Sequence, residues 1–238
     1  METFVLVHGG GHGGWCWKWT AALLRERGHA VYTPTLTGFG ERSHLQEAAT
    51  SFQVFVEDVV NTIRFEDLEN VVLVGHSMGG TIVPRVAEVL PDRIGRVIWL
   101  TGAVCADDET LLDAIPQSPW VARAVRLGSD GTAHTDPDLI LDANIQDGTP
   151  EQRAFVRDRH LPYPRHALIE PGRLSAFLAL DLPTAYVVTT EDRTIEPEVQ
   201  RAFARNLPGA LTVEIRAGHD CMITRPDLVA ATLLELVA

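Results

Sequence analysis

Lysine is almost missing from this sequence. Lys18 is the only one in 238 residues, and every other basic side chain is arginine. Schiff-base chemistry would therefore depend on Lys18, which sits among Trp15, Trp17 and Trp19. Cysteine is scarce as well: Cys16, Cys105 and Cys221 are odd in number and far apart. That spacing excludes a disulfide framework and reads as reduced structural thiols, with a cytoplasmic location expected. Positive charge is in short supply, with Lys+Arg 20 against Asp+Glu 32 and a net charge of −12. Nucleic acid and anionic membranes both reward clustered positive charge, so neither is expected as a partner, and the acidic excess reads as solubility. No apolar run is long enough to span a bilayer. Met1-Glu2-Thr3-Phe4 leads straight into a strand pattern, without the basic and apolar regions of a signal peptide.

What the sequence does have is alternation. Its length suits a single domain over 1–238 with one substantial core. Short β-branched runs predict strands over 4–7, 30–32, 71–74, 97–100, 186–188 and 211–215. Between them, periodic apolar patterns predict helices over 15–26, 52–65, 81–89, 197–206 and 227–237. Strands that alternate with helices imply an α/β fold, with a mostly parallel sheet covered by helices on both faces. The rhythm breaks between 106 and 172, where no strand is convincing and Pro, Asp and Arg are frequent. This stretch lacks a core pattern of its own, so it is expected to be an inserted helical cap rather than a second domain. There is no internal repeat or low-complexity tract.

The stretch VLVHGGGHGGWCW, from Val5 to Trp17, admits three readings. Gly9, Gly11 and Gly14 spell GxGxxG, a dinucleotide-binding pattern. That reading needs an acidic residue near the end of the second strand to hold a ribose, and Tyr32-Thr33-Pro34-Thr35 offers none. His8, His12 and Cys16 have the spacing of metal ligands on a helix, but Gly9 to Gly14 cannot hold such a helix. His12 then reads as a brace for the loop. Trp15, Trp17 and Trp19 cannot all face one way on a helix, so packing is the better reading for them. The third reading is a glycine-dense loop after a first strand that presents backbone N–H groups.

Gly75-His76-Ser77-Met78-Gly79 is a GxSxG pattern between a predicted strand and a predicted helix. In that setting the serine occupies a strained turn, exposed at the end of the sheet, with the helix N-terminus behind it. A serine hydroxyl needs a base and an acid to orient that base, and the chain order expected is Ser, then Asp/Glu, then His. Asp192 follows the penultimate strand and His219 the last one, both at strand carboxyl ends. Glu191 beside Asp192, and Asp107 or Asp108 after the fourth strand, are competing carboxylates. His76 competes with His219 but reads better as a support for the turn.

Together, VLVHGGGHGGWCW, Gly-His-Ser-Met-Gly-Gly, Thr190-Glu191-Asp192 and Gly218-His219 resemble the α/β-hydrolase superfamily. They are most similar to its small branch of plant methylesterases, hydroxynitrile lyases and bacterial, pyrethroid-hydrolase-like esterases. The resemblance covers nearly the whole chain and is weakest through 106–172. It implies an α/β-hydrolase fold with about six strands, no metal and no organic cofactor. It also implies Ser77 as nucleophile, Asp192 as orienting acid and His219 as general base. The oxyanion hole it implies is formed by the backbone N–H groups of Gly10 and Met78. The lyases of the branch carry a lysine directly after the catalytic histidine and a threonine in the first loop, where this chain has Asp220 and Gly10. An acidic side chain there disfavours an anionic leaving group, so hydrolysis of a carboxylic ester through an acyl-enzyme is favoured over cyanohydrin cleavage.

The expected partner is a small-molecule ester, apolar or aromatic, with a homodimer left open. Candidate pocket residues are Leu111, Leu112, Trp120, Leu127, Phe155, Leu161 and Tyr163, most of which could equally pack the cap onto the core. Arg123, Arg126, Arg157 and Arg159 could meet a substrate carboxylate, although exposed arginines are usually solvated. Two rivals remain open: a biosynthetic lyase or cyclase on the same scaffold, and a non-catalytic ligand-binding protein.

Overall fold

The structure is a computed structural model that describes residues 1–115 and 125–238. Its strands are β1 (Thr3–Val7), β2 (Ala30–Tyr32), β3 (Val71–His76), β4 (Ile94–Leu100), β5 (Val125–Leu127), β6 (Thr132–Thr135), β7 (Tyr163–Pro164), β8 (Thr184–Thr189) and β9 (Leu211–Ile215). Six of them form one sheet in the order β2-β1-β3-β4-β8-β9, and every pairing in it is parallel.

A parallel sheet must be covered on both faces, so its strands carry apolar side chains on both sides. Successive residues point to opposite faces. In β3, Val71 and Leu73 enter one core, while Val72 and Val74 enter the other. β1 divides in the same way, Val5 and Val7 against Phe4 and Leu6. The first core is closed by helices Phe52–Phe65, Gly79–Val89 and Pro197–Arg205, through residues such as Phe55, Ile82 and Phe203. The second is closed by Lys18–Glu26 and Pro226–Glu235, through Leu24, Val229 and Leu233. Among the described residues no helix is long and apolar enough to cross a membrane.

The chain leaves β1 for β2 on one side and returns to β3 on the other. The loops after β1 and β3 therefore part at a switch in strand order, and that opening is where such sheets place their sites.

Two expectations need correction. The 106–172 segment is not purely helical: β5, β6 and β7 form an antiparallel sheet within it. These strands have three, four and two residues, too short for a period of two to show against a polar background. Helices Leu111–Ala114, Pro137–Asn144, Pro150–Arg157 and His166–Ile169 make up the rest of its regular structure among the described residues. The two ends of the segment meet, with Asp108 N–H donating to Gly172 O at 3.2 Å and Gly172 N–H to Glu109 O at 2.8 Å. The helix expected from Trp15 begins instead as a 3-10 turn, Gly14–Trp17. Trp17 is fully buried, whereas Trp15 and Trp19 both pack on Phe155.

Candidate active site

β3 ends at a tight turn that opens with Ser77, whose φ is +52°. A non-glycine residue held there stores about 1–3 kcal/mol of strain and needs surroundings that enforce it. Ser77 O accepts two hydrogen bonds at 2.9 Å, from Gly80 N–H and Ala103 N–H. The close approach also depends on glycine: a Cβ on Gly75 would lie 2.7 Å from Gly79 O, and one on Gly79 would lie 2.8 Å from His8 O. Helix Gly79–Val89 follows at once and carries Pro84. Pro84 has no N–H for the carbonyl of Gly80, one turn earlier. The Trp99 indole Nε1–H donates to Gly80 O at 2.9 Å, so the first turn behind the serine keeps its hydrogen bond.

Asp192 and His219 come from the loops after β8 and β9. His219 Nδ1 and Asp192 Oδ2 lie 2.8 Å apart, and both side chains are buried. The same carboxylate oxygen accepts from Thr101 Oγ at 2.7 Å, Gln200 Nε2 at 2.9 Å and Thr189 Oγ at 3.1 Å. Its other oxygen accepts the backbone N–H groups of Thr194 at 2.7 Å and Ile195 at 2.9 Å. Burial alone would lower the pKa of His219. The charge and hydrogen bond of Asp192, joined by the charge of Asp220, outweigh it, and the net shift is upward. The competing carboxylates are occupied elsewhere. Glu191 pairs with Arg216 at 2.6 Å, Asp107 accepts Ser175 N–H at 2.9 Å, and Asp108 is exposed.

The remaining histidines of the loops are structural supports. His76 Nε2–H donates to His219 O at 3.0 Å, and burial with the nearby His219 holds its pKa down to about 3. His8 accepts Leu36 N–H on Nε2 at 3.1 Å and so donates from Nδ1 to Gly9 O at 2.8 Å. Burial holds its pKa at about 3 as well. His12 faces an acceptor on each nitrogen, Gly10 O at 2.7 Å and Asp220 Oδ2 at 3.0 Å. Two acceptors require the doubly protonated ring. Burial opposes that form, but the charge and hydrogen bond of Asp220 prevail and raise its pKa. Asp220 in turn is held at about 2 despite its burial, chiefly by His12. His8, His12 and Cys16 therefore do not converge on a metal. His76, His219 and Asp220 do come within 4.8 Å of one another; each makes a hydrogen bond to a protein group, while His76 Nδ1 and Asp220 Oδ1 are buried without a partner among the described residues.

Ser77 and His219 open onto one cavity that holds about 610 Å³ of atom-free space, part of it open to solvent. No hydrogen bond joins the two side chains here, a contact that often tightens only around a bound substrate. Gly10 and Met78 line the same cavity, and neither backbone N–H finds an acceptor among the described residues. Gly10 faces Tyr163, whose ring would lie 2.9 Å from a Cβ at that position. The walls are Leu111, Leu112, Ile115, Val125, Ile140, Tyr163 and Leu168, with a polar edge of Thr135, Asn144, His160 and Thr194.

Of the candidate pocket residues, Tyr163, Leu111 and Leu112 line this cavity. Three others lie elsewhere. Leu127 and Leu161 are 47% and 37% exposed on the outer surface, and Phe155 packs against Trp15, Trp19 and the Arg159 guanidinium. Trp120 and Arg123 lie outside the described residues. Arg126, Arg157 and Arg159 do not line the cavity, and Asp220 is turned away from it toward His12. Thr101, Gln200, Asn144 and His160 were missed. Only Thr101 carried a signal, its place directly after a predicted strand.

Residues 4–232 match the model of the alpha/beta hydrolase family. A carbendazim hydrolyzing esterase of Nocardioides sp. (strain SG-4G) is 32% identical over 244 residues, which cover 99% of this chain and 100% of that protein. The putative chloroplastic methylesterase 15 of Arabidopsis thaliana is 26% identical over 250 residues, 99% of this chain but 56% of that longer one. Among solved structures, an extracellular alpha/beta-hydrolase from a Paenibacillus species has a TM-score of 0.88 at 26% identity, with 99% of each chain covered. A family model that runs almost from end to end, and a relative matched over its full length, place this chain in the alpha/beta hydrolase family.

Proposed function

We infer that Ser77, Asp192 and His219 carry out the ester hydrolysis performed by this chain, a carboxylesterase-type hydrolase acting on small-molecule esters. The observation that carries the assignment is the buried 2.8 Å His219–Asp192 pair, with His219 opening onto the cavity that holds Ser77. Ser77 Oγ attacks the ester carbonyl while His219 takes its proton, and Asp192 keeps the imidazole oriented with Nδ1–H donated to the carboxylate. The N–H groups of Gly10 and Met78 meet the developing oxyanion. His219 then gives its proton to the departing alcohol, leaving an acyl group on Ser77. Water repeats the sequence to release the acid.

The aliphatic walls and the Tyr163 ring support a neutral, apolar or aromatic ester. Carbendazim and simple methyl esters, suggested by the names of the relatives, are the substrates to assay first. We also propose a cytoplasmic enzyme that uses neither membrane nor nucleic acid. Its three cysteines are free thiols and its net charge is −12. Sedimentation would decide whether it forms a homodimer. Ser77→Ala should abolish turnover of p-nitrophenyl esters and labelling by a fluorophosphonate while leaving the circular dichroism spectrum unchanged. Turnover retained by that variant would sink the assignment.

A further inference from the structure

Residues 144–147, at the end of helix Pro137–Asn144, touch the loops of both Asp192 and His219. The contacts fall on the immediate neighbours of each side chain. On the His219 loop, the Asp147 carboxylate accepts Gly218 N–H at 3.0 Å, and Asn144 O accepts Asp220 N–H at 2.9 Å. The residues on both sides of His219, Gly218 and Asp220, are thereby pinned to the same short segment. Asp147 also accepts from Thr224 Oγ at 3.0 Å, which ties down the turn that follows. On the Asp192 loop, Gln146 Nε2 donates to Glu191 O at 2.7 Å, and Thr194 Oγ donates to Asn144 Oδ1 at 2.5 Å. Gly218 fits closely here: a Cβ on it would come within 2.7 Å of both Asp147 Oδ1 and Gln146 Nε2.

We propose that this segment is a positioning strap, with Asp147 its principal residue, that sets His219 against Asp192. The two loops follow β8 and β9 and are joined to each other by Glu191 N–H, which donates to Ala217 O at 3.0 Å. Beyond that bond, around Asp192 and His219 themselves, the strap lies across both loops and holds them by hydrogen bonds from the inserted segment. Asn144 also lines the cavity, so the strap reaches the space beside Ser77 and His219. Asp147 touches neither the cavity nor the reacting atoms. Its effect passes through Gly218 to His219.

The inference rests on the esterase reading, and one set of variants separates the two. Asp147 is exposed, so Asp147→Ala is expected to fold. Its kcat on a p-nitrophenyl ester, normalised by fluorophosphonate titration of Ser77, should fall about 10- to 100-fold with little change in KM, because small misplacements of a catalytic group are costly. The acid limb of kcat/KM should move to lower pH, since His219 loses part of the hold of Asp192 that raises its pKa. Asp147→Asn keeps an acceptor oxygen for Gly218 N–H and should recover most of the loss. Gln146→Ala should act in the same direction, more weakly. If Asp147→Ala keeps kcat within about twofold of the parent with an unmoved acid limb, the strap has no positioning role. If Asp147→Asn is as defective as Asp147→Ala, hydrogen bonding to Gly218 is not the cause, and the proposal falls. If the parent enzyme neither turns over esters nor labels at Ser77, the esterase reading fails first, and the strap fails with it.

Discussion

Asp192 accepts six hydrogen bonds, four on the oxygen that faces His219 and two on the other. A carboxylate that only accepts is matched by donors on every side. Asn at this position would turn an amide N–H₂ toward some of those donors. Asp192→Asn should therefore cost about 10⁴-fold in kcat, mainly by leaving His219 in the wrong tautomer. The sign of the accompanying pH shift follows from the cause of the present one. The Asp192 charge helps to hold the His219 pKa above 6.5, so its loss moves the acid limb of kcat/KM downward. A pH profile with the limb unmoved would show that another group titrates there. The proposed set Ser77, Asp192 and His219 could be nominated from the sequence because their order and their places at strand ends are local properties. Thr101 and Gln200 could not, because what makes them partners of Asp192 is the packing of β4 and helix Pro197–Arg205 beside its loop. Leu127, Phe155 and Leu161 failed for a related reason: an apolar side chain does not announce which surface it will cover.

Helix Gly79–Val89 shows the same dependence one level up. The sequence predicts a helix over 81–89, and the structure begins it two residues earlier, at Gly79, with Pro84 in its interior removing one backbone donor. Trp99, on β4, compensates by donating to the carbonyl that Pro84 leaves without a partner. Trp99→Phe should destabilise the protein by about 2–4 kcal/mol, combining a buried unpaired carbonyl with lost packing. Pro84→Ala restores an N–H one turn after Gly80, so in that background the cost of Trp99→Phe should shrink by about 1 kcal/mol. Urea unfolding of the four proteins measures the coupling; strictly additive costs would mean that the indole N–H contributes nothing at this carbonyl. The four inner strands β1, β3, β4 and β8 were legible because each is an apolar run sealed on both faces, whereas β2 and β9, at the sheet edges, are partly exposed and were legible from their short β-branched runs between helical patterns. β5 to β7 were not, since they are short, one-sided and built from residues such as Thr, His and Arg.

Across the whole molecule, the desolvated histidines divide into two sets with opposite effects on stability. His8 and His76 are buried and His160 is half-buried at the cavity edge; desolvation keeps all three neutral, with pKa values held down to about 3. Unfolding releases them to a value near 6.5, so below that pH the unfolded chain binds three more protons than the native one. Stability then rises with pH, by as much as about 4 kcal/mol per pH unit once the unfolded histidines are fully charged. His12 and His219 behave in reverse. Burial alone would lower them, but Asp220 and Asp192 hold their pKa values above 6.5. Above pH 6.5 the native state therefore keeps protons that the unfolded chain has lost. That stabilisation is complete below pH 6.5 and is lost as pH rises through the native values. The two sets together place the stability maximum near pH 6.5, with Tm falling on both sides and more steeply on the acid side. As the proposed general base, His219 must be neutral to act, so the ester-hydrolysis optimum is expected on the alkaline side of the Tm maximum. Scanning calorimetry from pH 4 to 9 beside a pH–rate profile tests both halves. A Tm that climbs steadily beyond pH 8 would mean that the buried His12–Asp220 ion pair does not exist in the folded protein.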